Sequence, residues 1–450
     1  MVDQQDQLTT RLEVAATALA ASATAAAARV GDSSLLRYLG YDDGNTAEAE
    51  GRARMLRAAA RFRRLFLLPV PDAPGLVFFG GEADPATLGK QPEGLPIGSL
   101  AGSGLEPKRA FESCVGEGIE YLSQFVQADD PIVSGPSASY GGAYDVDVRR
   151  FISEVLALNM IDADRAIGWV SASRLPDGKD MWFPADLCYR RHTAEQDLKP
   201  PHKLSSGCAA GTTAEAATLR ALLELIERDA VALWWRGGRR GRSIASNSEA
   251  AGAAAALLAQ VRQGNTDRKT WLLDITTDVG IPAVAAISAR PDGYGFAFGL
   301  GARLDLADAV RAAIFELCQV ELGQHVVAAK RHESGDAALN ESDRRQLRRG
   351  TSFDTRACIL LQPQTEPDSI SIEDPDDSAS SLQQVLERLE ARGIAAYAID
   401  LTRPQLGVPV VRVLAPGLQL EPCQIVGPRL ARMIGQTGGG AVHHGDMTLL

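Results

Sequence analysis

The 450-residue chain lacks the short motifs that mark several common chemistries. Its six cysteines are scattered and form no C-x-x-C pair, which argues against a zinc or redox motif and is typical of reduced thiols in a cytosol. No G-x-x-x-x-G-K-[ST] segment and no kinase-type D-F-G set occur, so P-loop and kinase folds are excluded. The six histidines show no metal-ligand spacing.

An excess of basic charge is also missing. The net charge of −11 argues against nucleic acid as a partner. The apolar stretch Ala15–Val30 is dominated by Ala, Thr and Ser and has no basic segment before it, so we predict neither a membrane span nor a signal peptide. We expect a cytoplasmic protein. The arginine runs are interpreted as solvated faces, with a binding role kept as the alternative for residues 236–242.

Hydrophobic spacing and turn residues predict an α+β protein. Three regions are expected: a helical N-terminal region with a linker at 1–79, a main body at 80–420, and a mobile tail at 421–450 in which His443 and His444 are disordered. Helical pattern extends over 8–67 in the first region. In the main body, helices are predicted near 107–127, 148–160, 305–330 and 382–392, and a long one follows the loop at 205–213.

Three of these helices carry polar side chains along one stripe beside an apolar face. The stripes are Ser113, Glu117 and Glu120; Glu224, Glu227 and Arg228; and Glu316 with Gln319. For one helix alone, a solvated acidic face is the simpler interpretation. Three such helices with Gly-rich loops between them favour a cation, and Mg²⁺ prefers a few carboxylates together with nucleotide phosphates. The residues therefore suggest ATP held through a metal.

The same residues resemble the motifs of the YcaO superfamily. Ser113-x-x-x-Glu117-x-x-Glu120 is similar to its first ATP-site motif, and Glu316-x-x-Gln319 is similar to its third. The second block is matched by Ser205-Ser206-Gly207, Glu215 and Glu224-x-x-Glu227-Arg228. The resemblance covers roughly residues 80–420, which become a YcaO-like catalytic domain.

The resemblance implies a YcaO-type fold, with mixed β-sheets and helices that converge on a composite ATP–Mg²⁺ site. It implies ATP-dependent phosphorylation of a backbone amide oxygen in a ribosomally made precursor peptide, which gives azoline heterocycles or thioamides. The implied metal ligands are Glu117, Glu120, Glu224 and Glu227. The implied nucleotide-binding residues are Ser113, Ser205, Ser206, Glu215, Arg228, Glu316 and Gln319. No protein nucleophile is required, so no side chain is assigned as catalytic.

The chain departs from the family pattern in several places. Tyr121 follows Glu120 where the first motif usually has Arg, and Glu321 lies where the third block usually has one, with Lys330 or Arg331 as candidate substitutes. The last residues, HHGDMTLL, lack the Pro-rich end common in azoline-forming members, which favours thioamidation or another backbone modification. We expect a leader-binding or TfuA-like partner protein and a homo-oligomer or hetero-complex. The alternative is a catalytically silent scaffold or partner subunit of a peptide-modifying complex.

Overall fold

A computed structural model describes residues 2–24, 34–89, 94–140, 145–364, 380–445 and 447–450. The helices are α1 (Val2–Thr24), α2 (Ser34–Tyr38), α3 (Thr46–Ala59), α4 (Pro107–Ser123), α5 (Val146–Leu158), α6 (Ala185–Cys188), α7 (Ala214–Trp235), α8 (Glu249–Arg262), α9 (Leu306–Ser334), α10 (Glu341–Ser352), α11 (Ser381–Glu390), α12 (Pro428–Thr437) and α13 (Ala441–His444). The strands are β1 (Arg64–Leu68), β2 (Val77–Ala83), β3 (Gly98–Gly104), β4 (Val133–Pro136), β5 (Ala166–Leu175), β6 (Asp180–Pro184), β7 (Cys208–Ala210), β8 (Lys269–Asp274), β9 (Ala283–Ala289), β10 (Ala297–Ala302), β11 (Ala396–Asp400) and β12 (Val410–Leu414). Helices and several antiparallel sheets confirm the α+β class.

The chain divides into two compact units. Unit 1 comprises Met1–Pro69, Val77–Leu222 and Ala395–Ala415, and unit 2 comprises Val70–Leu76, Leu223–Ile394 and Pro416–Leu450. The boundary falls inside α7, so the first turns of this helix belong to unit 1 and the later turns to unit 2. We keep the predicted domain boundaries after residues 79 and 420 as a proposal.

Unit 1 contains a three-stranded antiparallel sheet in the order β1-β2-β3, with α4 packed against it. The close approach of helix and sheet depends on Gly102 in β3, because a β-carbon there would overlap the backbone of Ala110 and Cys114. The strand β1 lies where a helix was expected. Helical pattern was predicted through residue 67, but α3 ends at Ala59, and the apolar run 64–68 pairs instead with β2.

A second sheet of unit 1 has the order β4-β5-β11-β12-β7, with β6 paired to β5. The strand β7 follows the loop 204–207 directly and pairs with β12. The N–H of Val413, in β12, donates to the carbonyl of Gly207 at 2.7 Å. The Ser/Gly loop of the second motif block is therefore held at the edge of this sheet.

Unit 2 repeats the first arrangement with other strands. Its sheet has the order β8-β9-β10, and α9 packs against β10 and β9. Gly301 in β10 allows the contact, because a β-carbon there would overlap the carbonyl of Ala309 and approach the amide of Ala313. The core of this unit joins the sheet to buried side chains of α7, among them Trp234 and Trp235.

The N-terminal helix α1 packs on α3 through Leu12, Ala15, Ala16 and Leu19, which are all almost fully buried. These positions lie on one helix face, and the helix agrees with the helical pattern predicted for this stretch. Residues 25–33 lie outside the described residues. Among the described helices, none has both the length and the apolar character that crossing a membrane requires.

The C-terminal segment is packed rather than loose. It forms α12 and α13, and the His444 ring stacks on Trp235 at 4.2 Å between centroids. The indole N–H of Trp235 donates to the carbonyl of Met447 at 2.7 Å, and Leu449 is only 4% exposed. The expectation of a mobile tail with disordered histidines is wrong for these residues, because Gly-rich composition concealed apolar anchors at the chain end.

Candidate nucleotide and metal site

The helix α4 carries the acidic set of unit 1. Ser113, Glu117 and Glu120 share one face, while the apolar residues of the helix are buried. The backbone N–H of Ala101, in β3, donates to Glu117 Oε2 at 2.6 Å. This hydrogen bond fixes the Glu117 carboxylate relative to the sheet.

The Glu117 side chain can be reached from solvent, but its carboxyl group is poorly hydrated. Its side chain is exposed, yet the surrounding protein desolvates the carboxyl and raises its pKa from 4.5 to about 7, against the opposing effect of the Ala101 N–H. Within the described part of the chain, no basic side chain lies within ion-pair distance of Glu117. A cation that reaches this carboxylate would therefore find a ligand whose charge nothing nearby neutralises.

Glu120 lies one turn further along α4 and is held by the segment that follows the Ser/Gly loop. The N–H of Ala210, in β7, donates to Glu120 Oε1 at 2.8 Å, and the Cys208 thiol lies 3.9 Å from the Glu120 carbonyl oxygen. The first and second motif blocks thus meet at Glu120.

The loop that contains Ser205 and Ser206 is shaped by a buried arginine. Arg412 is fully buried and donates to the backbone carbonyls of Ser206, at 3.4 Å, and Leu204. Ser205 is exposed and Ser206 is buried. No motif marks Arg412 in the sequence, because the residue lies far along the chain, on strand β12.

Two of the predicted nucleotide-binding residues stand apart from these contacts. Ser113 and Glu215 are exposed, and no hydrogen bond or ion pair joins them to the other predicted residues within the described ranges. Glu215 lies in the first turn of α7, where the N–H groups of a helix attract anions. Their roles therefore stay predictions.

The acidic set of unit 2 surrounds one arginine on α7. Arg228 Nη2 lies 3.4 Å from Glu224 Oε1, and Arg228 Nη1 lies 3.6 Å from Glu227 Oε1. The Nη1 atom is buried and makes no hydrogen bond within the described residues. A buried donor of this kind requires an acceptor, and a phosphate oxygen would supply one.

Glu316, on α9, belongs to the same electrostatic group. The N–H of Leu300, in β10, donates to Glu316 Oε2 at 2.6 Å. Desolvation and the charges of Glu227 and Glu224 raise the pKa of Glu316, while Arg228 lowers it. Gln319 lies one turn along α9 from Glu316 and is half-buried.

The two acidic helices share a structural feature that was not predicted from the sequence: a glutamate that is hydrogen-bonded to a strand. In α4 and in α9, the glutamate accepts a hydrogen bond from a strand residue sixteen positions earlier in the chain. In each case a glycine next to the donor, Gly102 or Gly301, lets the helix approach the strand. Spacing within the helices predicted the carboxylates, but the donors are backbone atoms and carry no sequence signature.

The arginines of the 236–242 run are structural. They bind backbone carbonyls and carboxylates within unit 2: Arg236 to Glu421 and Cys423, Arg239 to Thr276, Arg240 to Pro363, and Arg242 to Asp274. The expectation of a solvated face is therefore wrong for this run.

The proposed substitutes for a third-block arginine are engaged elsewhere. Lys330 pairs with Asp343 and Arg331 with Asp336, each at 2.6 Å. Lys330 also lies about 20 Å along α9 from Glu316, given the rise of a helix. Glu321 is fully buried and accepts two hydrogen bonds from Arg262, at 2.6 and 2.8 Å. Neither Lys330 nor Arg331 is thus available at Glu316.

The described residues contain no group of three or more acidic, histidine or cysteine side chains close enough to hold a metal ion alone. Mg²⁺ usually takes one or two protein carboxylates and completes its shell with water and phosphate oxygens. In unit 2, the Glu224 and Glu227 carboxylates fit a metal that arrives with a nucleotide, and Arg228 Nη1, which makes no hydrogen bond among the described residues, fits a phosphate oxygen. In unit 1, Glu117 and Glu120 supply carboxylates of the same kind.

Comparison with known proteins follows from this geometry. Residues 101–419 match the family model described as YcaO cyclodehydratase, binding ATP and Mg²⁺. The chain belongs to the YcaO family. Both acidic sets lie inside the matched range, and ATP and Mg²⁺ are the cofactors of this family of enzymes.

Three similar proteins extend the comparison. An uncharacterized protein in the tfuA 3′ region of Rhizobium leguminosarum bv. trifolii is 27% identical over 357 residues, which are 75% of this chain and 80% of that protein. The structure of a heterocyclase in complex with substrate and cofactor is 26% identical, with a TM-score of 0.64, and the match covers 84% of this chain and 52% of that one. The chain thus spans about half the length of that heterocyclase. A YcaO protein from Methanopyrus kandleri, bound with AMPPCP and Mg²⁺, shares the fold at 21% identity, with a TM-score of 0.56 and coverage of 82% and 89%.

Proposed function

We propose that this YcaO-family enzyme uses ATP and Mg²⁺ to activate backbone amides of a ribosomally made precursor peptide. The observation that carries the proposal is that the family match spans both acidic sets, Glu117 with Glu120 and Glu224 with Glu227. An amide oxygen is a poor leaving group, and transfer of a phosphoryl group from ATP to that oxygen makes it a good one. The main task of the protein is then to position the nucleotide and to balance its charge.

We assign the residues as follows. Glu117, Glu120, Glu224 and Glu227 act as metal ligands, and Arg228 offers Nη1, which makes no hydrogen bond among the described residues, to a phosphate oxygen. Nucleotide contacts fall to Ser113, Ser205, Ser206, Glu215, Glu316 and Gln319. The Ala101 and Leu300 amides hold Glu117 and Glu316 in place, so that little reorganisation is needed when the metal binds.

For the product, we propose a thioamide first and an azoline second. The relative in a tfuA 3′ region supports thioamide formation with a TfuA-like partner. The match to a heterocyclase with bound substrate supports an azoline. A separate protein that binds the leader of the precursor fits either product.

The test is ATP-dependent modification of a precursor peptide, followed by mass spectrometry. Loss of one water identifies an azoline, and exchange of one oxygen for sulfur, in the presence of sulfide and a TfuA-like partner, identifies a thioamide. We expect Glu227→Ala to abolish modification and to keep the fold, since Arg228, the cation paired with this buried carboxylate, is also paired with Glu224.

Glu249→Ala, an exposed acidic residue on α8, is the matched control and should retain activity. Full activity of Glu227→Ala would show that the metal assignment is wrong. If the wild-type protein bound ATP but modified no candidate peptide with any partner, the silent-scaffold alternative would replace the enzymatic proposal.

A further inference from the structure

Arg190, in unit 1, is a cation without a carboxylate partner. Its side chain is half-buried, and no acidic group lies within 4.0 Å of its guanidinium in the described part of the chain. Desolvation accordingly lowers the pKa of Arg190 below its ordinary value. Arg403, by contrast, has the carboxylate partner that a buried arginine usually has, because it pairs with Asp130 at 2.7 Å. A partly desolvated charge with no counter-ion among the described residues is suited to bind an anion.

The position of Arg190 is fixed to the end of α4 by three hydrogen bonds. Its backbone N–H donates to the Gln124 carbonyl at 2.7 Å, and its carbonyl accepts from the Val126 N–H at 3.0 Å. Its Nε donates to Gln124 Oε1 at 2.8 Å. Gln124 lies one turn after Glu120, so the guanidinium is held close to the acidic stripe of α4.

The Tyr121 ring covers one face of this guanidinium. The central carbon of Arg190 lies 5.4 Å from the ring centroid, and the Tyr121 hydroxyl is itself anchored to the Pro96 carbonyl. With Nε bonded to Gln124, both terminal nitrogens of Arg190 stay without a hydrogen-bond partner among the described residues. The Arg190 guanidinium is thus held in place through Nε, while its two terminal nitrogens can donate to two oxygens of one anion.

A second uncompensated cation lies in the same region. Arg412 is fully buried, binds only backbone carbonyls among its hydrogen-bond partners, and its charge lowers the pKa of Arg190 further. Positive charge therefore accumulates beside the loop 204–207 and beside Glu120, where a metal-bound phosphate group would need it.

We propose that Arg190 binds a phosphate group of ATP through its two terminal nitrogens and is a phosphate-binding residue outside the three motif blocks. This inference rests on the proposed function, since it requires the nucleotide to bind at the acidic stripe of α4. Tyr121 and Gln124 act as positioning residues, which hold the guanidinium at a fixed angle.

The experiment is a calorimetric titration of the full chain with ATP, and separately with adenosine, in the presence of Mg²⁺. For Arg190→Gln we expect ATP affinity to fall about 30-fold, the scale of one charge-assisted bidentate contact, and adenosine affinity to stay unchanged. Arg190→Lys should keep part of the ATP affinity, because it restores the charge without the fork. Arg64→Gln is the matched control, since Arg64 also stacks on a ring, that of Phe66, but is paired with Glu82.

Each other outcome has a defined meaning. Wild-type ATP affinity in Arg190→Gln would overturn the inference and leave the proposed function standing. Equal loss of ATP and adenosine affinity with a lower melting temperature would assign Arg190 a structural role and also overturn it. If a third titration, with inorganic phosphate, showed weaker binding while ATP binding was unchanged, the inference would likewise be overturned and the site assigned to a different phosphate source. If the wild-type protein failed to bind ATP with Mg²⁺, the proposed function would fall together with the inference.

Discussion

Each unit contains a three-stranded sheet with a helix packed on it: β1–β3 with α4 in unit 1, and β8–β10 with α9 in unit 2. Both hold a glutamate of the helix against the sheet, but they differ in the positive charge near that glutamate. In both, a strand amide pins a glutamate, Glu117 or Glu316, and a strand glycine lets the helix approach. Glu316 has Arg228 in its electrostatic surroundings, whereas Glu117 has no such cation in the described residues. In unit 2, Arg228 thus partly neutralises the charge of Glu316. In unit 1, the charge of Glu117 depends more on a bound cation for its neutralisation.

Removal of the cation of unit 2 should have the largest effect. We expect Arg228→Gln to lower the free energy of unfolding by about 3 kcal/mol at pH 8, because Glu224, Glu227 and Glu316 then repel one another without compensation. The loss should shrink at pH 5, where Glu316, whose pKa is raised to about 7, takes up a proton. Urea denaturation at the two pH values measures both quantities.

The control is Arg345→Gln, which breaks an exposed pair with Glu341 and should cost less than about 1 kcal/mol. Similar small losses in both variants would contradict the charge balance that distinguishes the two units.

The shared glycines should give a smaller and equal effect in both units. Gly102→Ala and Gly301→Ala place a β-carbon against helix backbone and should each cost about 1–3 kcal/mol of stability. Gly116→Ala, on α4, meets nothing within 4 Å and should be neutral or stabilising by about 0.5–1 kcal/mol. Thermal unfolding compares the three variants, and tolerance of alanine at only one of the two strand positions would break the equivalence.

These two sheets also show how far sequence reasoning reaches. Helical spacing was sufficient to find Glu117, Glu120, Glu224, Glu227 and Glu316, because side chains three and four apart must share a face. It did not find the amides of Ala101, Ala210 and Leu300, since the register of strand against helix is set by tertiary packing. Contacts between residues distant in sequence also explain why the helix prediction for β1 is wrong, since this strand is formed by its pairing with β2. They explain the C-terminal tail as well, where such contacts bury Leu449.

Proton release should give the smallest effect. The pKa of Glu117 is raised to about 7 in the folded protein from 4.5, so the metal-free protein loses stability as pH rises through this interval. Binding of Mg²⁺ requires the ionised carboxylate, and the affinity for Mg²⁺ with ATP should therefore fall several-fold between about pH 8 and pH 6. Calorimetry in buffers of different ionisation enthalpy counts the released protons.

Glu117→Gln should remove most of this proton release, because no group then titrates at that position. Unchanged proton release in Glu117→Gln would assign the titration to another group, and Glu316, whose pKa is also raised, would be the next residue to change.

The most direct test of the central claim, that these pinned carboxylates hold the metal of a nucleotide, is the dissociation constant of ATP for Glu117→Gln with and without Mg²⁺. We predict that the wild-type protein binds ATP at least about tenfold more tightly with Mg²⁺ than with a chelator, and that Glu117→Gln loses this difference. Equal affinities of wild type and Glu117→Gln in Mg²⁺ would contradict the account.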